Sequence, residues 1–331
     1  MTLNLIENSK EIIKMNFVYS QLSSDSVSEI LNSNYELGAS ISSRFYVHGL
    51  HDNYLIECNK MKYIYRVYRN TWRTTEEILF ELDTLSHLEK KSSNVAAPIK
   101  TKNNEVVTHI EVPEGTRLGV LFQYADGYPP LRDISSNECK LLGVSVANIH
   151  KNTDDFKSKY KREILDLEYL VDNSLKLIYP FLNLSQIEYL NKIREIIYEN
   201  VSNITPENSD FGFCTGDINP TNFHINKNNV ITHFDFDQCG YGFRAFELGK
   251  FTLCLRNHDL KTEKVLSFLS GYESVREISE QEKKAIPYFE VIAIIWVMSI
   301  HVSNVNKIGY QYLDENFWKK RIGSIESLGL D

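Results

Sequence analysis

Thr215-Gly216-Asp217-Ile218-Asn219-Pro220-Thr221-Asn222 and, shortly after, His233-Phe234-Asp235-Phe236-Asp237-Gln238-Cys239-Gly240-Tyr241-Gly242 set carboxylates and an amide among apolar residues. Around them the runs 211–214, 223–226 and 230–236 read as short strands, with Asn228-Asn229 as a hairpin tip. Asp217, an amide oxygen five residues later at Asn222 and a second carboxylate thirteen residues beyond at Asp235 can converge as hard oxygen ligands for Mg²⁺. One acid is then left over as a base. Alternation along Phe234-Asp235-Phe236-Asp237 predicts both acids on one strand face and both phenylalanines on the other. A single Asp in such a turn is ordinarily structural, but this grouping points to a metal-dependent site acting on phosphates.

Upstream the chain changes character. After an opening helical stretch, residues 35–68 read as strands, and the aromatic and β-branched runs 54–58 and 62–68 are joined by the polar link Asn59-Lys60, a hairpin signal. Thr74-Thr75-Glu76-Glu77 is a capping box, followed by Ile78, Leu82, Leu85 and Leu88 at helical spacing. Strand character returns at 106–110 and 118–124. The second run enters Ala125-Asp126-Gly127-Tyr128-Pro129-Pro130, the densest breaker cluster in the chain, where the lobe boundary is placed. Helices dominate beyond it, opened by Ser135-x-x-Glu138, Ser185-x-x-Glu188 and Ser279-x-x-Glu282. The expected fold class is therefore α+β and bilobal: a small strand-rich lobe over 1–124, with an N-terminal helical extension, and a larger, mostly helical lobe over 125–331.

The 331 residues carry 36 Lys plus Arg against 44 Asp plus Glu, a formal net charge of −8. An acidic chain without a long Lys/Arg run lacks the basic footprint of a nucleic-acid binder, so no such partner is expected. With 42% hydrophobic and 24% charged residues, the composition is that of an ordinary globular protein. Its five cysteines are scattered without a CxxC pair and predict reduced thiols. Residues 1–17 mix Glu7, Lys10, Glu11 and Lys14 among apolar residues, unlike a signal peptide, so a cytoplasmic address is expected. The most apolar stretch, 291–298, falls short of the roughly 20 residues needed to span a bilayer and predicts a buried helix with no membrane partner.

Taken together, Gly216-Asp217-x-x-x-x-Asn222, Phe234-Asp235-Phe236 and Gly240-Tyr241-Gly242 resemble the catalytic and metal-binding loops of the aminoglycoside phosphotransferase superfamily. These are kinase-like enzymes that phosphorylate small molecules. The segments Arg66-Val67-Tyr68-Arg69, 142–150 and 234–245 are most similar to its homoserine-kinase-like and stress-response-kinase-like branch, and the resemblance runs from Gly49 to the final helices. It implies a protein-kinase-like fold and transfer of the γ-phosphate of Mg-ATP to a small-molecule hydroxyl, on an amino alcohol or a homoserine-like or aminoglycoside-like acceptor. By resemblance, Asp217 is the base that accepts the hydroxyl proton, and Asn222 and Asp235 are Mg²⁺ ligands. Asp237 is either a third metal contact or a structural acid neutralised by Arg244. Arg66 stands where the family has its strand Lys or Arg for the nucleotide phosphates, Glu81 matches its ion-pair partner, and Arg69 is the alternative phosphate ligand. Gly49-Leu50-His51-Asp52-Asn53 loosely matches the phosphate-covering loop. Gln123, Tyr124 and Ala125 fall at the hinge, where family members bind adenine through backbone groups. On this reading 1–124 is the nucleotide-binding lobe and 125–331 the catalytic and acceptor-binding lobe.

Thr215 stands where the family has a His that holds the catalytic loop, and a Thr hydroxyl has a shorter reach. It is the one feature that supports a pseudokinase, a binding module without turnover; a protein Ser/Thr kinase of the stress-response type is the other alternative. Intact Asp217, Asn222 and Asp235 favour turnover. Gly240-x-Gly242-x-x-Ala245 is formally a dinucleotide-binding fingerprint, but two acids precede it and no βαβ alternation surrounds it. Asp235-x-Asp237 also resembles haloacid-dehalogenase-type phosphatases, which have Thr or Val where Cys239 stands. No histidine pair has metal-site spacing, and His150 reads as packed or matched to a helix C-terminus. Tyr272, Glu273, Glu290, Trp296 and Tyr312 are candidates for lining the acceptor pocket, and the acidic net charge favours a cationic acceptor.

Overall fold

The computed structural model describes residues 15–38, 40–130, 134–201, 204, 210–257 and 262–330; of the opening helical stretch expected ahead of residue 35, residues 1–14 lie outside the described residues and the helix Ser24–Asn34 lies within them. In chain order the elements are α1 (Ser24–Asn34), β1 (Ser42–His48), β2 (Asp52–Cys58), β3 (Met61–Val67), α2 (Thr75–Lys90), β4 (Pro98–Ile99), β5 (Thr108–Val112) and β6 (Gly115–Gln123). There follow α3 (Ser136–Asn152), α4 (Ser174–Ile178), α5 (Leu184–Val201), β7 (Phe211–Cys214), β8 (Phe223–Ile225), β9 (Ile231–His233) and β10 (Gly240–Phe243). Last come α6 (Arg244–Asn257), α7 (Thr262–Glu273), α8 (Glu280–Ser303), α9 (Val305–Ile308) and α10 (Glu315–Glu326). The chain is α+β and forms two compact units: a sheet unit of Met1–Arg73 with Ile99–Leu121, and a mostly helical unit of Thr74–Pro98 with Phe122–Asp331.

In the helical unit, local sequence rules set the helix starts. The expected boxes at Thr74, Ser135 and Ser279 all form and open α2, α3 and α8. α5 starts earlier than Ser185 predicts. Asn183 accepts the Gln186 N–H at 3.0 Å and Gln186 returns to the Asn183 N–H at 3.0 Å, a capping box just upstream, because Asn caps a helix as well as Ser does. By length and composition α8 could cross a membrane, yet it is mostly buried, and Phe289, Ile292, Ile295 and Met298 share one core with Leu190, Ile193 and Ile197 of α5. A second core joins α3, α6, α7 and the β8–β9 hairpin through Leu142, Val146, Phe223, Ile225, Leu248, Phe251 and Phe268. The strand expected over 230–236 is shorter. β9 stops at His233, and Asp235 adopts φ 62°, so Asp235 and Asp237 do not share a strand face. The left-handed region ends the period-two pattern, and Asp enters it more readily than most residues.

In the sheet unit, β1, β2 and β3 form an antiparallel meander. The β2–β3 link has positive φ at both Asn59 (51°) and Lys60 (67°), the turn handedness that matches strand twist. β5 pairs with β6 in the same sheet. Val27 and Leu31 of α1 close its core over Tyr54, Ile56, Tyr65, Val67, Ile110 and Leu121. Beside this core lies a buried ion pair. Arg117 Nη2 meets Asp52 Oδ2 at 2.8 Å with neither side chain exposed, and Arg117 also donates to the carbonyls of Ser20 (2.6 Å) and Tyr68 (2.8 Å). The other Asp52 oxygen is bonded by the Tyr19 hydroxyl and by His48 at 2.9 Å. Removing one partner of such a pair strands a buried charge. Arg117→Ala should therefore lower stability by about 3–5 kcal/mol in urea unfolding. Arg44→Ala, which loses only an exposed 3.8 Å pair with Glu57, should leave the midpoint almost unmoved.

Candidate active site

Two short ladders assemble the motif residues. β8 pairs antiparallel with β9, Phe223 opposite His233, and one step further the Phe234 N–H donates to the Asn222 carbonyl at 3.0 Å. The open end of the hairpin thus sets Asn222 beside the turn that carries Asp235. β7 pairs with β10, Cys214 opposite Gly240, which draws the Thr215-Gly216-Asp217 turn alongside residues 237–239. Gly216 is required there: its φ is 76°, and a Cβ would lie 2.1 Å from the Gln238 carbonyl oxygen. Asn222 Nδ2 donates to Asp217 Oδ2 at 2.8 Å and to the Asp217 carbonyl at 2.9 Å. Asp217, Asn222 and Asp235 therefore stand on three adjoining segments.

The turn before Asp217 is held from α6. Glu247, fully buried, accepts the Gly216 N–H at 2.8 Å and the Thr215 hydroxyl. Three residues further on, and so on the same helix face, Lys250 Nζ donates to the Gly216 carbonyl at 2.8 Å and to Asp217 Oδ1 at 2.7 Å. Both hydrogen-bonding groups of Gly216 are fixed by one helix. Lys250 is 8% exposed, and its ammonium sits 4.4 Å from the centroid of the Trp296 ring, a cation–π contact. The short Thr215 hydroxyl is met by Glu247, which comes up to it.

Behind Glu247 lies a relay. His150 Nε2 donates to Glu247 Oε2 at 2.6 Å, and the Tyr272 hydroxyl donates to His150 Nδ1 at 2.7 Å. Burial pulls the Glu247 carboxyl upward, but the His150 and Thr215 hydrogen bonds outweigh it and hold the group below its ordinary value. Burial likewise holds His150 down, so a neutral imidazole donates to a carboxylate. Ligand atoms of His150, Cys214 and Glu247 lie within 4.8 Å of one another. Both imidazole nitrogens and both carboxylate oxygens are already hydrogen-bonded, and burial pushes the Cys214 thiol well up, so this cluster is a structural relay and not a metal centre.

The remaining motif residues fall in several places. Asp237 is 2% exposed; its Oδ2 accepts the Gln238 amide at 3.1 Å, and Arg162 clamps its loop through the carbonyls of Asp237 and Cys239, the latter at 2.7 Å. Arg244 does not neutralise it. The Arg244 N–H donates to the Asp210 carbonyl at 3.0 Å as β10 ends beside β7, and its guanidinium pairs with Asp210 (2.6 Å) and Asp154 (2.9 Å). Gly242 faces residue 165, where a Cβ would lie 2.7 Å from Leu165 Cβ; this glycine serves close packing and not a dinucleotide. Gln123 bonds the Ala97 carbonyl at 2.9 Å and Glu89 at 2.7 Å, and the Ala125 carbonyl accepts from His224 of β8 at 2.5 Å. Tyr124 lies between them, its ring edge-on to His224 at 6.2 Å. The segment 123–125 thus runs against the hairpin that bears Asn222.

In the sheet unit, Asn53 and Arg66 are cross-strand partners, and Arg66 Nε donates to Asn53 Oδ1 at 3.2 Å. His51 accepts the Arg69 N–H at 3.2 Å and packs on Tyr68, so side chains and not glycines shape the turn around residues 49–53. Glu81 is buried on α2 of the helical unit. Of the residues expected near an acceptor, Tyr272 belongs to the relay, and Glu290 is buried against Thr252 (2.7 Å) and Arg256 (3.0 Å). Glu273 pairs with Lys283 at 2.8 Å, Tyr312 is exposed, and Trp296 packs on Lys250. Glu247 and Lys250 belong to no motif. Their signal in the sequence is an acid and a base inside the otherwise apolar run Ala245-Phe246-Glu247-Leu248-Gly249-Lys250-Phe251.

Comparison with known proteins shows which family the chain resembles and which fold it shares. The profile of the phosphotransferase enzyme family (APH) matches residues 44–278. The protein sll1119 of Synechocystis sp. is 33% identical over 94% of this chain and 87% of its own. The homoserine kinase of Neisseria meningitidis is 23% identical, covering 82% of this chain and 85% of that enzyme. Among solved structures, amicoumacin kinase hAmiN in complex with AMP-PNP, Ca²⁺ and Ami superposes with a TM-score of 0.76 over 93% of both chains at 19% identity, a shared kinase-like fold.

The buried relay makes stability depend on pH. His150 stays neutral in the fold, whereas in the unfolded chain it titrates near its ordinary value of about 6.5. Below about pH 6.5 the unfolded state takes up a proton that the folded state refuses, so stability falls on acidification. The urea midpoint should drop between about pH 7.5 and about pH 5.5, and this drop should shrink in His150→Gln, which is less stable at both values. A variant with the same pH dependence as the wild type would contradict a neutral, buried His150.

Proposed function

The chain belongs to the phosphotransferase enzyme family and is, by that kinship, a kinase of small-molecule hydroxyl groups; we propose that it moves the γ-phosphate of Mg-ATP to an amino alcohol, a homoserine-like or an aminoglycoside-like acceptor, with Asp217 as the base. The observation that carries this reading is the fixed Asp217 carboxylate, one oxygen on Lys250 at 2.7 Å and the other on Asn222 at 2.8 Å. A base must be held within reach of the proton it takes before its acidity matters. Asp217 accepts the hydroxyl proton while the acceptor oxygen bonds to phosphorus and the bond from phosphorus to the ADP oxygen breaks.

The donor set suits Mg²⁺. The Asn222 amide nitrogen is engaged with Asp217, which leaves its oxygen as the ligand atom, and Asp235 offers a carboxylate; both are hard oxygen donors. The cation, when bound, neutralises phosphate charge. Asp237 backs the same loop as the third proposed contact. Arg66, steadied by Asn53, is proposed to bind the nucleotide phosphates, and the backbone of Gln123, Tyr124 and Ala125 to receive adenine. The bond from Thr215 to Glu247 supplies the loop anchor that the sequence put in question, which supports turnover over a binding module. The proposed address is cytoplasmic, with no nucleic-acid or membrane partner.

Incubation with Mg-ATP and a panel of homoserine, amino alcohols and aminoglycosides should yield ADP and at least one phosphorylated acceptor. Asp217→Asn should lower kcat by about 10²–10⁴-fold and keep nucleotide binding, because it removes the base and not the proposed metal ligands. Asp235→Asn should weaken Mg-ATP binding itself, measured by calorimetry. Neither transfer nor slow hydrolysis in the wild type, with ATP still raising Tm, would sink the kinase reading.

A further inference from the structure

A buried lysine demands a physical reason. Lys250 shares its face of α6 with Phe246 and the fully buried Glu247, and an aliphatic side chain there would be buried at lower desolvation cost. Its ammonium is held by the Trp296 ring face, the Gly216 carbonyl and Asp217 Oδ1. An anchor for the loop backbone would need only the bond to Gly216, which any neutral donor could make. The additional bond to Asp217 does something else. Asn222 already fixes Oδ2 at 2.8 Å, so Lys250 on Oδ1 at 2.7 Å leaves the carboxylate plane no freedom to rotate. Each oxygen of a carboxylate has two lone pairs, so both still have room for one more donor, such as an acceptor hydroxyl.

We propose that Lys250, seated on Trp296, is a positioning residue for phosphoryl transfer: it locks the orientation of the Asp217 carboxylate towards the acceptor hydroxyl. The inference rests on the reading of Asp217 as the base. Orientation of this kind acts on the chemical step and not on nucleotide affinity. Methionine at 250 would keep the stem and its packing on Trp296 but lose the charge and both hydrogen bonds. Alanine would open a space beside the indole that a small ammonium ion can enter.

The test is a kinetic comparison of wild type, Lys250→Met and Lys250→Ala, with Mg-ATP as donor, homoserine as the probe acceptor and water as the acceptor in parallel hydrolysis assays. Lys250→Met should lose kcat by about 30–300-fold, keep its KM for ATP within about threefold, and retain the rise in Tm on adding Mg-ATP. Methylammonium should restore Lys250→Ala by about tenfold, a response that a purely structural role would not give. Retention of kcat within about threefold in Lys250→Met overturns the proposal. So does a loss of kcat accompanied by a lost Tm response and no rescue by methylammonium, because Lys250 would then only support the fold. A wild type inactive on both acceptors removes the underlying kinase reading, and with it this inference, before any variant is compared.

Discussion

One peptide group governs the geometry of the candidate site. The N–H of Gly216 is held by Glu247 and its carbonyl by Lys250, so Asp217 is aimed by α6 together with Asn222 of its own loop. Only glycine accepts the backbone conformation there and the approach of the Gln238 carbonyl. The position of α6 is fixed in turn by two cores, with Phe246 packed in one and Leu248 and Phe251 in the other. Apolar packing far from the site therefore sets the direction of a carboxylate within it.

This arrangement buries charge, and each charge is answered. Glu247 receives donors from His150, Thr215 and Gly216; Lys250 has Asp217, a carbonyl and an indole face. Fully satisfied networks of this kind are rigid, whereas an unpaired member would be strongly destabilising. The sheet unit applies the same principle in its buried Arg117–Asp52 pair, which fixes the turn at residues 49–53 where glycines are scarce. A sequence with few glycines in that turn substitutes hydrogen-bonded side chains for backbone adaptability.

Local rules made much of the fold legible. The capping boxes at Thr74, Ser135 and Ser279 and the Asn59-Lys60 and Asn228-Asn229 turns each depend on residues close in sequence, where side-chain and backbone preferences decide the outcome. The Gly-Asp and Phe-Asp-Phe motifs are likewise short stretches, and the structure brings the two segments side by side. Contacts between distant segments were not legible. The reach of Glu247 back to Thr215, the seat of Lys250 on Trp296 and the pairing of Arg244 with Asp210 follow from how α6 packs, and no local pattern encodes them. Asp235 misled the strand reading because alternation cannot register a single left-handed residue. The net charge of −8 says nothing of the ammonium beside Asp217.

The central claim is that α6 acts on catalysis through the Asp217 carboxylate. A double-mutant cycle measures this directly: single-turnover transfer from bound Mg-ATP in Asp217→Ala, Lys250→Met and the double variant. If Lys250 acts only through Asp217, the double variant should be no slower than Asp217→Ala, within about twofold. Losses that multiply would show that Lys250 acts independently of Asp217, and would contradict the account.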